Sequence, residues 1–327
     1  MAAAETLSDY IPIHPASTPM SLQPVLDDLL ELRHQAHALG MASHHLVNSS
    51  FAGLYASVFR GQGLNFEEVR EYHEGDDIRN MDWKVTARTG EPHLKVFREE
   101  RERSVMLCVD KGPHMDFGTR GTFKSIQAAK AAALLGWAAN HLHDRVGGVL
   151  FGDPRCEDRY FRATKDRRAL WRLLNALTTE PEQCDTAHGS GTLPEILRKA
   201  SQGIGTGGLV FVVADFNLDP AELKQPLSQL CQHHSVVLVP IDDPAERELP
   251  DMGPVLFHGP DGGLLEVDTS DDRARRAYRE AWESRRNRLM QLANSLGVAV
   301  IPVWTHEEVH GALMRGLERR LRARAFL

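Results

Sequence analysis

Short apolar runs alternate with helical repeats along the last two thirds of the chain. The runs have the length and composition of buried strands, and the segments between them repeat apolar residues every three or four positions, which predicts helices. Strands separated by helices favour a parallel sheet with right-handed crossovers and helices on both faces. The sequence therefore predicts a doubly wound, mostly parallel α/β domain. The predicted strands are residues 104–110, 146–151, 209–215, 236–241 and 298–303.

The same patterns divide the chain into four parts. The first is proline-rich, which predicts an extended, flexible arm. The second repeats apolar residues at helical spacing and predicts an N-terminal helix packed on the body. The third is dense in charge and predicts a small β-α-β appendage, and the fourth is the α/β domain with a hairpin inserted near residues 253–268. These parts span residues 1–20, 21–59, 60–103 and 104–327.

Composition argues against several classes of protein. The 327 residues carry a net charge of -7, which disfavours a nucleic-acid-binding surface. The four cysteines are widely spaced and include no Cys-x-x-Cys pair, as is usual in a reducing compartment. No segment has the uninterrupted apolar length of a membrane span, and the first residues do not resemble an export signal. We therefore expect a cytoplasmic protein without a membrane span.

The charged part has a helix signal of its own. Gly75 permits a turn, Asp76 is a good N-cap and Gly90 follows the expected end, which predicts a short helix over residues 77–89. The charged and aromatic side chains of this part have two interpretations. In the first, they form ion pairs and caps that hold the appendage on the sheet. In the second, they form a surface that binds a partner protein. These residues are Arg70, Tyr72, Asp76, Asp77, Arg79, Asp82, Trp83 and Arg88.

The charged part also carries a family resemblance. Its spaced residues, followed by a strand that ends in an aspartate, resemble the signature of the bacterial family called domain of unknown function 58. The resemblance implies a von Willebrand A-like fold and a MoxR-type AAA+ ATPase as partner. The residues that carry it are Gly61-x-Gly63, Phe66, Arg70-x-Tyr72, Gly75-Asp76-Asp77-x-Arg79, Asp82-Trp83, Ala87-Arg88, Phe97, Glu100-Arg101 and Asp110.

The resemblance implies the position of a metal site. Von Willebrand A domains hold a divalent cation with an Asp-x-Ser-x-Ser loop, a threonine and a later aspartate, and the matching residues here are Asp110, Thr192 and Asp215. The two serine positions hold Gly112, which has no side-chain oxygen, and His114, whose imidazole magnesium does not favour. The site is therefore expected to be degenerate, with no cofactor required. Three possibilities stay open: a structural remnant, a weak magnesium site, and a transition-metal site that uses His114.

The sequence offers little for an enzyme. It contains no nucleophile elbow, no Walker loop and no His-Glu-x-x-His zinc motif. The leading hypothesis is therefore a protein-binding adaptor, and the alternative is a metal-dependent hydrolase that uses Asp110 and Asp215. A hydrolase requires a nucleophile paired with a general base, whereas an adaptor does not. The sequence shows no convincing pair of this kind, which favours the adaptor.

Overall fold

In the computed structural model, the parts of the chain that are described are residues 23–38, 65–73, 76, 81–98, 103–179, 190–200, 203–258 and 263–325. In chain order the elements are α1 (Leu26–Ala38), β1 (Asn65–Glu71), α2 (Trp83–Thr89), β2 (His93–Arg98), β3 (Ser104–Asp110), α3 (Lys124–His141), β4 (Arg145–Phe151), β5 (Arg159–Thr164), α4 (Arg167–Thr178), α5 (Leu193–Ala200), β6 (Leu209–Ala214), α6 (Pro220–Cys231), β7 (Ser235–Asp242), α7 (Pro244–Arg247), β8 (Pro254–His258), β9 (Leu264–Asp268), α8 (Asp272–Ser295), β10 (Ala299–Val300), β11 (Val303–Trp304) and α9 (Val309–Ala325).

The central sheet is doubly wound. Its strand order is β10-β7-β6-β3-β4-β5, and β11 also pairs with β7. All neighbouring pairs are parallel except β4 and the edge strand β5, which are antiparallel. The winding direction reverses between β3 and β6, so the carboxyl ends of these two strands border the crevice where open α/β sheets place their ligands. The predicted doubly wound, mostly parallel α/β domain is confirmed.

Helices cover both faces of the sheet. The alanine-rich helix α3 lies across β3, and its small side chains let the helix approach the strands closely. Helix α1 packs on α3, where Leu29 is buried and its carbonyl accepts a hydrogen bond from Trp137 Nε1 at 3.0 Å. The predicted arm, residues 1–20, and most of the predicted segment 21–59 lie outside the described residues. No helix in the described part of the chain is apolar over enough length to cross a membrane.

The charged part forms a two-stranded antiparallel sheet, β1 with β2, joined through α2. Of the predicted helix over residues 77–89, residues 77–80 lie outside the described residues, and the described helix begins at Trp83. Asp82 is its N-cap, because its carboxylate accepts hydrogen bonds from the N–H groups of Lys84 and Val85. Asp76, the predicted cap, accepts instead from the N–H of His73 at 2.9 Å. The helix ends as predicted at Gly90, which has a φ of 82°.

The last strand of the sheet differs from the sequence expectation. Residues 298–303 were predicted as one strand, but two-residue strands β10 and β11 flank a break. The break contains Pro302, which has no N–H to donate to a ladder, whereas Ile301 donates its N–H to the carbonyl of Leu238 at 2.8 Å. After this break α9 packs on the core through the buried Leu313 and Leu317.

Candidate functional site

Two aspartates meet at the switch point of the sheet. Asp110 ends β3 and Asp215 follows β6, and both side chains are buried. One oxygen of each carboxylate accepts a hydrogen bond from the loop that follows its strand. Asp110 Oδ1 accepts from the N–H of Gly112 at 2.8 Å, and Asp215 Oδ1 accepts from the N–H of Asn217 at 2.9 Å. The second oxygen of each carboxylate is thereby left for other partners.

One of these partners is the imidazole of His114. Its Nε2 lies 3.0 Å from Asp110 Oδ2 and 3.9 Å from Asp215 Oδ2. The ring packs directly over Gly112, where a Cβ atom would come within 2.3 Å of the ring carbon Cε1. A serine at position 112 would collide with this ring. The replacements at the two serine positions are therefore coupled, since the glycine makes room for the imidazole that bridges the aspartates.

The other partner is a buried lysine. Lys124, the first residue of α3, is 1% exposed, and its Nζ lies 3.2 Å from Asp215 Oδ2 and 2.5 Å from Glu246 Oε1. The ammonium also lies 5.9 Å from the centre of the Phe117 ring. A fixed positive charge thus lies beside Asp215, which the family resemblance implies as a ligand of the degenerate metal site. We call Asp110, His114, Lys124, Asp215 and Glu246 the carboxylate cluster.

The electrostatics of the carboxylate cluster favour positive charge on both basic groups. Burial acts to lower the pKa of Lys124, but the negative charges of Asp215 and Glu246 outweigh it and the pKa is raised. Burial likewise acts to lower the pKa of His114, but the hydrogen bond to Asp110 and the charges of both aspartates raise it. His114 and Lys124 therefore supply the positive charge that compensates the carboxylates of this cluster.

Two further acidic residues hold the loops around the carboxylate cluster. Asp243, fully buried, accepts hydrogen bonds from Thr119, Thr305 and the N–H of Ala245, which ties together the loops after β3, β7 and β11. Asp242 forms an ion pair with Arg286 of α8. Burial raises the pKa of Asp242 to about 7, against the lowering effect of the Arg286 charge.

The predicted threonine ligand has other partners. Thr192 precedes α5, is exposed, and donates its N–H to Glu195 Oε2 at 2.8 Å, while its side chain also bonds to Glu195. Its neighbour Ser190 donates to Asp158 Oδ1 at 2.6 Å and accepts from the N–H of Gly152 at 2.5 Å. Within the described part of the chain, the aspartates are brought together with His114 and Lys124, and the role of Thr192 as a ligand stays a prediction.

Comparison with known proteins assigns the chain to a family. A family model described as "Protein of unknown function DUF58" matches residues 68–288, more than half of the chain. The chain belongs to the DUF58 family. Among its relatives are the uncharacterized proteins Rv1480 of Mycobacterium tuberculosis and Mb1516 of Mycobacterium bovis, each 25% identical over 311 residues that cover 95% of both chains. The predicted family is therefore confirmed.

Some solved structures are similar to this DUF58 protein. The conserved hypothetical protein BatB from Bacteroides thetaiotaomicron aligns over 67% of this chain and 99% of its own, with 11% identity and a TM-score of 0.41. The SpRpn10 VWA domain aligns over 65% of this chain and 94% of its own, with 12% identity and a TM-score of 0.39. The fold described above rests on the strand order of the sheet and not on these alignments.

The DUF58 signature residues are divided between structural and surface positions. Asp82 is a helix cap and Asp76 accepts a hydrogen bond from the N–H of His73, while Trp83 and Arg88 of α2 are exposed and Tyr72 is half-buried. Trp83 is 67% exposed, so the ring is not part of a core. Asp77 and Arg79 lie outside the described residues, and only the backbone of Arg70 is described, in β1. Asp76 and Asp82 therefore fit the structural interpretation, and a partner-binding role for Trp83 and Arg88 stays a prediction.

Sequence reasoning missed two members of the carboxylate cluster, Lys124 and Glu246. Lys124 begins an apolar helix, where a lysine is ordinarily expected at the surface. Its helical spacing from the buried Ala128 and Ala131 was the available signal, because it places Lys124 on the buried face. For Glu246 the signal was its position three residues after Asp243, the pattern of a capping box, which the structure contains.

Proposed function

We propose that this DUF58 protein is a non-enzymatic binding or adaptor protein that binds its partner without a divalent cation. The observation that carries this proposal is the position of Lys124 Nζ, 3.2 Å from Asp215 and 2.5 Å from Glu246. A buried carboxylate requires a compensating charge, and the ammonium supplies it within the chain. This ammonium would repel a cation next to Asp215. In the degenerate metal-ion-dependent adhesion site, the charge of Lys124 therefore compensates the carboxylates in place of a metal ion.

The partner that we propose is a MoxR-type AAA+ ATPase, which the family resemblance implies. The exposed Trp83 and Arg88 on α2 support a contact through ordinary protein surface, because tryptophan and arginine are the residue types that dominate binding energy at interfaces. Arg70, Tyr72 and Arg79, which the sequence signature also contains, are proposed as further anchors. Charge around these anchors sets the rate of encounter and makes it sensitive to salt.

We expect the complex with the ATPase to survive a chelator, because no divalent cation at the carboxylate cluster is needed for binding. The test is a pull-down of the co-expressed pair, kept in a non-hydrolysed nucleotide state, with and without EDTA and at rising salt. Equal recovery with EDTA and lower recovery at high salt are the expected results. Complete loss in EDTA, restored by magnesium at constant nucleotide, would overturn the cation-independent mechanism, and no complex in any nucleotide state would overturn the adaptor proposal.

Trp83→Ala is expected to leave stability unchanged within about 0.5 kcal/mol, because the side chain is 67% exposed. The same variant is expected to lose most of the ATPase in the pull-down, since a truncated aromatic anchor costs about 2 kcal/mol or more of binding energy. Trp171→Ala is the matched control, because Trp171 lies on α4 and is 43% exposed. A Trp83 variant that unfolds early in urea, or that binds like the Trp171 variant, would contradict the assignment.

A second candidate function has one observation in its favour. Asp110, His114 and Asp215 offer ligand atoms that all lie within 4.8 Å of one another, a mixed set suited to a transition metal. A metal-dependent hydrolase using Asp110 and Asp215 would need such a metal despite the adjacent ammonium. Metal analysis of protein purified without chelator, followed by an esterase and phosphatase screen, separates the two candidates. A stoichiometric metal together with turnover that Asp215→Ala abolishes would favour the hydrolase.

A further inference from the structure

A pocket of about 250 Å³ lies among three helices, at the end of α3 that is far from the carboxylate cluster. Lys124 and Asn140 belong to opposite ends of α3, and the rise per residue places Asn140 about 24 Å along the helix axis from Lys124. The pocket is therefore a separate feature of the fold, and what it binds does not depend on the proposed function. Its lining includes Arg33 and His34 of α1, Trp137, Asn140 and His141 of α3, and Arg167 of α4.

The lining of this pocket contains basic side chains and no acidic one. Arg33 and Arg167 carry fixed positive charges, and His34 and His141 add imidazole rings. Neither arginine forms an ion pair with a carboxylate in the described part of the chain. Like charges that line one pocket repel each other, so the pocket favours a ligand that brings negative charge.

Two negative groups border the pocket and have partners of their own. Asp166 is the N-cap of α4, and its carboxylate accepts a hydrogen bond from the N–H of Arg168 at 2.9 Å. The end of α3 carries the partial negative charge of its last carbonyl groups. Among these, the carbonyls of Ala138 and Ala139 accept from the N–H of Leu142. Neither the cap nor the carbonyls supply a full charge that would compensate the two arginines.

Hydrogen bonds between the helices hold the backbones that carry the two arginines. Trp137 Nε1 donates to the carbonyl of Leu29 on α1 at 3.0 Å, and Asn140 Nδ2 donates to the carbonyl of Lys165, just before α4, at 3.3 Å. The side chains of Trp137 and Asn140 are both buried. A pocket whose walls are fixed in this way loses little conformational freedom when a ligand binds.

A phosphate group matches the donors of this pocket better than a carboxylate does. Each guanidinium offers several N–H donors in a planar fork, and two forks need more acceptor oxygens than one carboxylate has. A phosphate ester carries a charge of about -1.5 to -2 at neutral pH and three terminal oxygens, so it balances both arginines. Drug-sized ligands occupy pockets of about 300 to 1,000 Å³, so this smaller pocket suits a phosphate with a short carbon chain. The ring of Trp137 offers apolar surface to such a chain.

We propose that this pocket binds a phosphate group between Arg33 and Arg167, either as inorganic phosphate or as a small phosphate ester. The probes are inorganic phosphate, glycerol 3-phosphate and acetate, each titrated by NMR at constant ionic strength. The backbone amides of His141 and Arg167 and the indole N–H of Trp137 report occupancy. We expect both phosphates to shift these resonances to saturation and acetate to leave them in place.

The order of affinities identifies the source of the phosphate. Tighter binding of glycerol 3-phosphate would support a phosphate ester as the ligand, and tighter binding of inorganic phosphate would support the free anion. No shift with either phosphate would overturn the site. An equal shift with acetate would overturn the preference for phosphate over carboxylate.

Arg33→Gln and Arg167→Gln are each expected to weaken phosphate binding about tenfold, which corresponds to about 1.4 kcal/mol. Both side chains are exposed, so circular dichroism is expected to show an unchanged fold. Arg168→Gln is the matched control, because Arg168 is exposed on the same turn of α4 and does not line the pocket. Unchanged binding by both pocket variants, or an equal loss in the control, would overturn the assignment of the phosphate to this pocket.

Discussion

Lys124→Met is expected to lower the free energy of unfolding by about 3 kcal/mol or more, because removing one partner of a buried ion pair leaves the other charges uncompensated. Lys124 is 1% exposed and holds the side chains of Asp215 and Glu246, which are 9% and 23% exposed. The partial exposure of Glu246 puts the expected value at the lower end of the usual range for buried pairs. Urea denaturation followed by circular dichroism measures the change.

The control for this variant is Lys130→Met on the same helix. Lys130 lies outside the carboxylate cluster and is only half-buried, so its replacement is expected to change the free energy of unfolding by less than about 0.5 kcal/mol. Equal effects of the two substitutions would show that Lys124 contributes helix packing and not charge compensation.

Lys124→Met has a second expected property, which distinguishes charge compensation by a lysine from charge compensation by a metal ion. Without the ammonium, the carboxylates of Asp215 and Glu246 lose their cationic partner and can attract a hard cation. Millimolar magnesium or calcium is therefore expected to raise the melting temperature of Lys124→Met and to leave that of the wild type nearly unchanged. A large shift in the wild type that Asp215→Ala abolishes would mean that the carboxylate cluster binds a cation despite Lys124.

The part of the site that the sequence could predict follows from sheet topology. Two apolar runs that end in aspartate must bring Asp110 and Asp215 together if their strands are neighbours across the switch point, and they are. His114 was foreseeable as well, since it lies four residues after Asp110 on a tight loop. These predictions depend on short-range patterns and on one rule about parallel sheets.

Long-range polar partners could not be predicted in the same way. Lys124 and Glu246 are separated by 122 positions, and nothing local to either residue indicates the other. Local competition explains the remaining errors. The described helix α2 begins after Asp82, because that carboxylate bonds to the N–H groups of the first turn. The last strand is broken at Pro302, whose missing N–H outweighs the apolar run around it.

Asp243→Ala is expected to be the second most damaging substitution, with a loss of about 3 kcal/mol of stability. The carboxylate accepts hydrogen bonds from Thr119 N–H at 2.8 Å, from its hydroxyl at 2.5 Å, from the Thr305 hydroxyl at 2.6 Å and from the Ala245 N–H at 2.9 Å. The variant leaves several donors without an acceptor, and each such donor costs about 1 to 3 kcal/mol when it is buried. Asp271→Ala, which removes an exposed helix cap, is the control and should cost about 1 kcal/mol.

The pH dependence of Asp243 makes this prediction specific to its charge. Burial acts to raise the pKa of Asp243, but the hydrogen bonds from Thr119 and Thr305 outweigh it and hold the pKa below its ordinary value of 3.8. A carboxylate whose pKa is lowered by folding stabilises the protein above its unfolded pKa, and this stability is lost as the pH falls through the folded pKa. The difference in free energy of unfolding between wild type and Asp243→Asn is therefore expected to be full at neutral pH and to shrink below about pH 4. Urea denaturation at a series of pH values measures it, and a difference independent of pH would show that the carboxylate acts through shape alone.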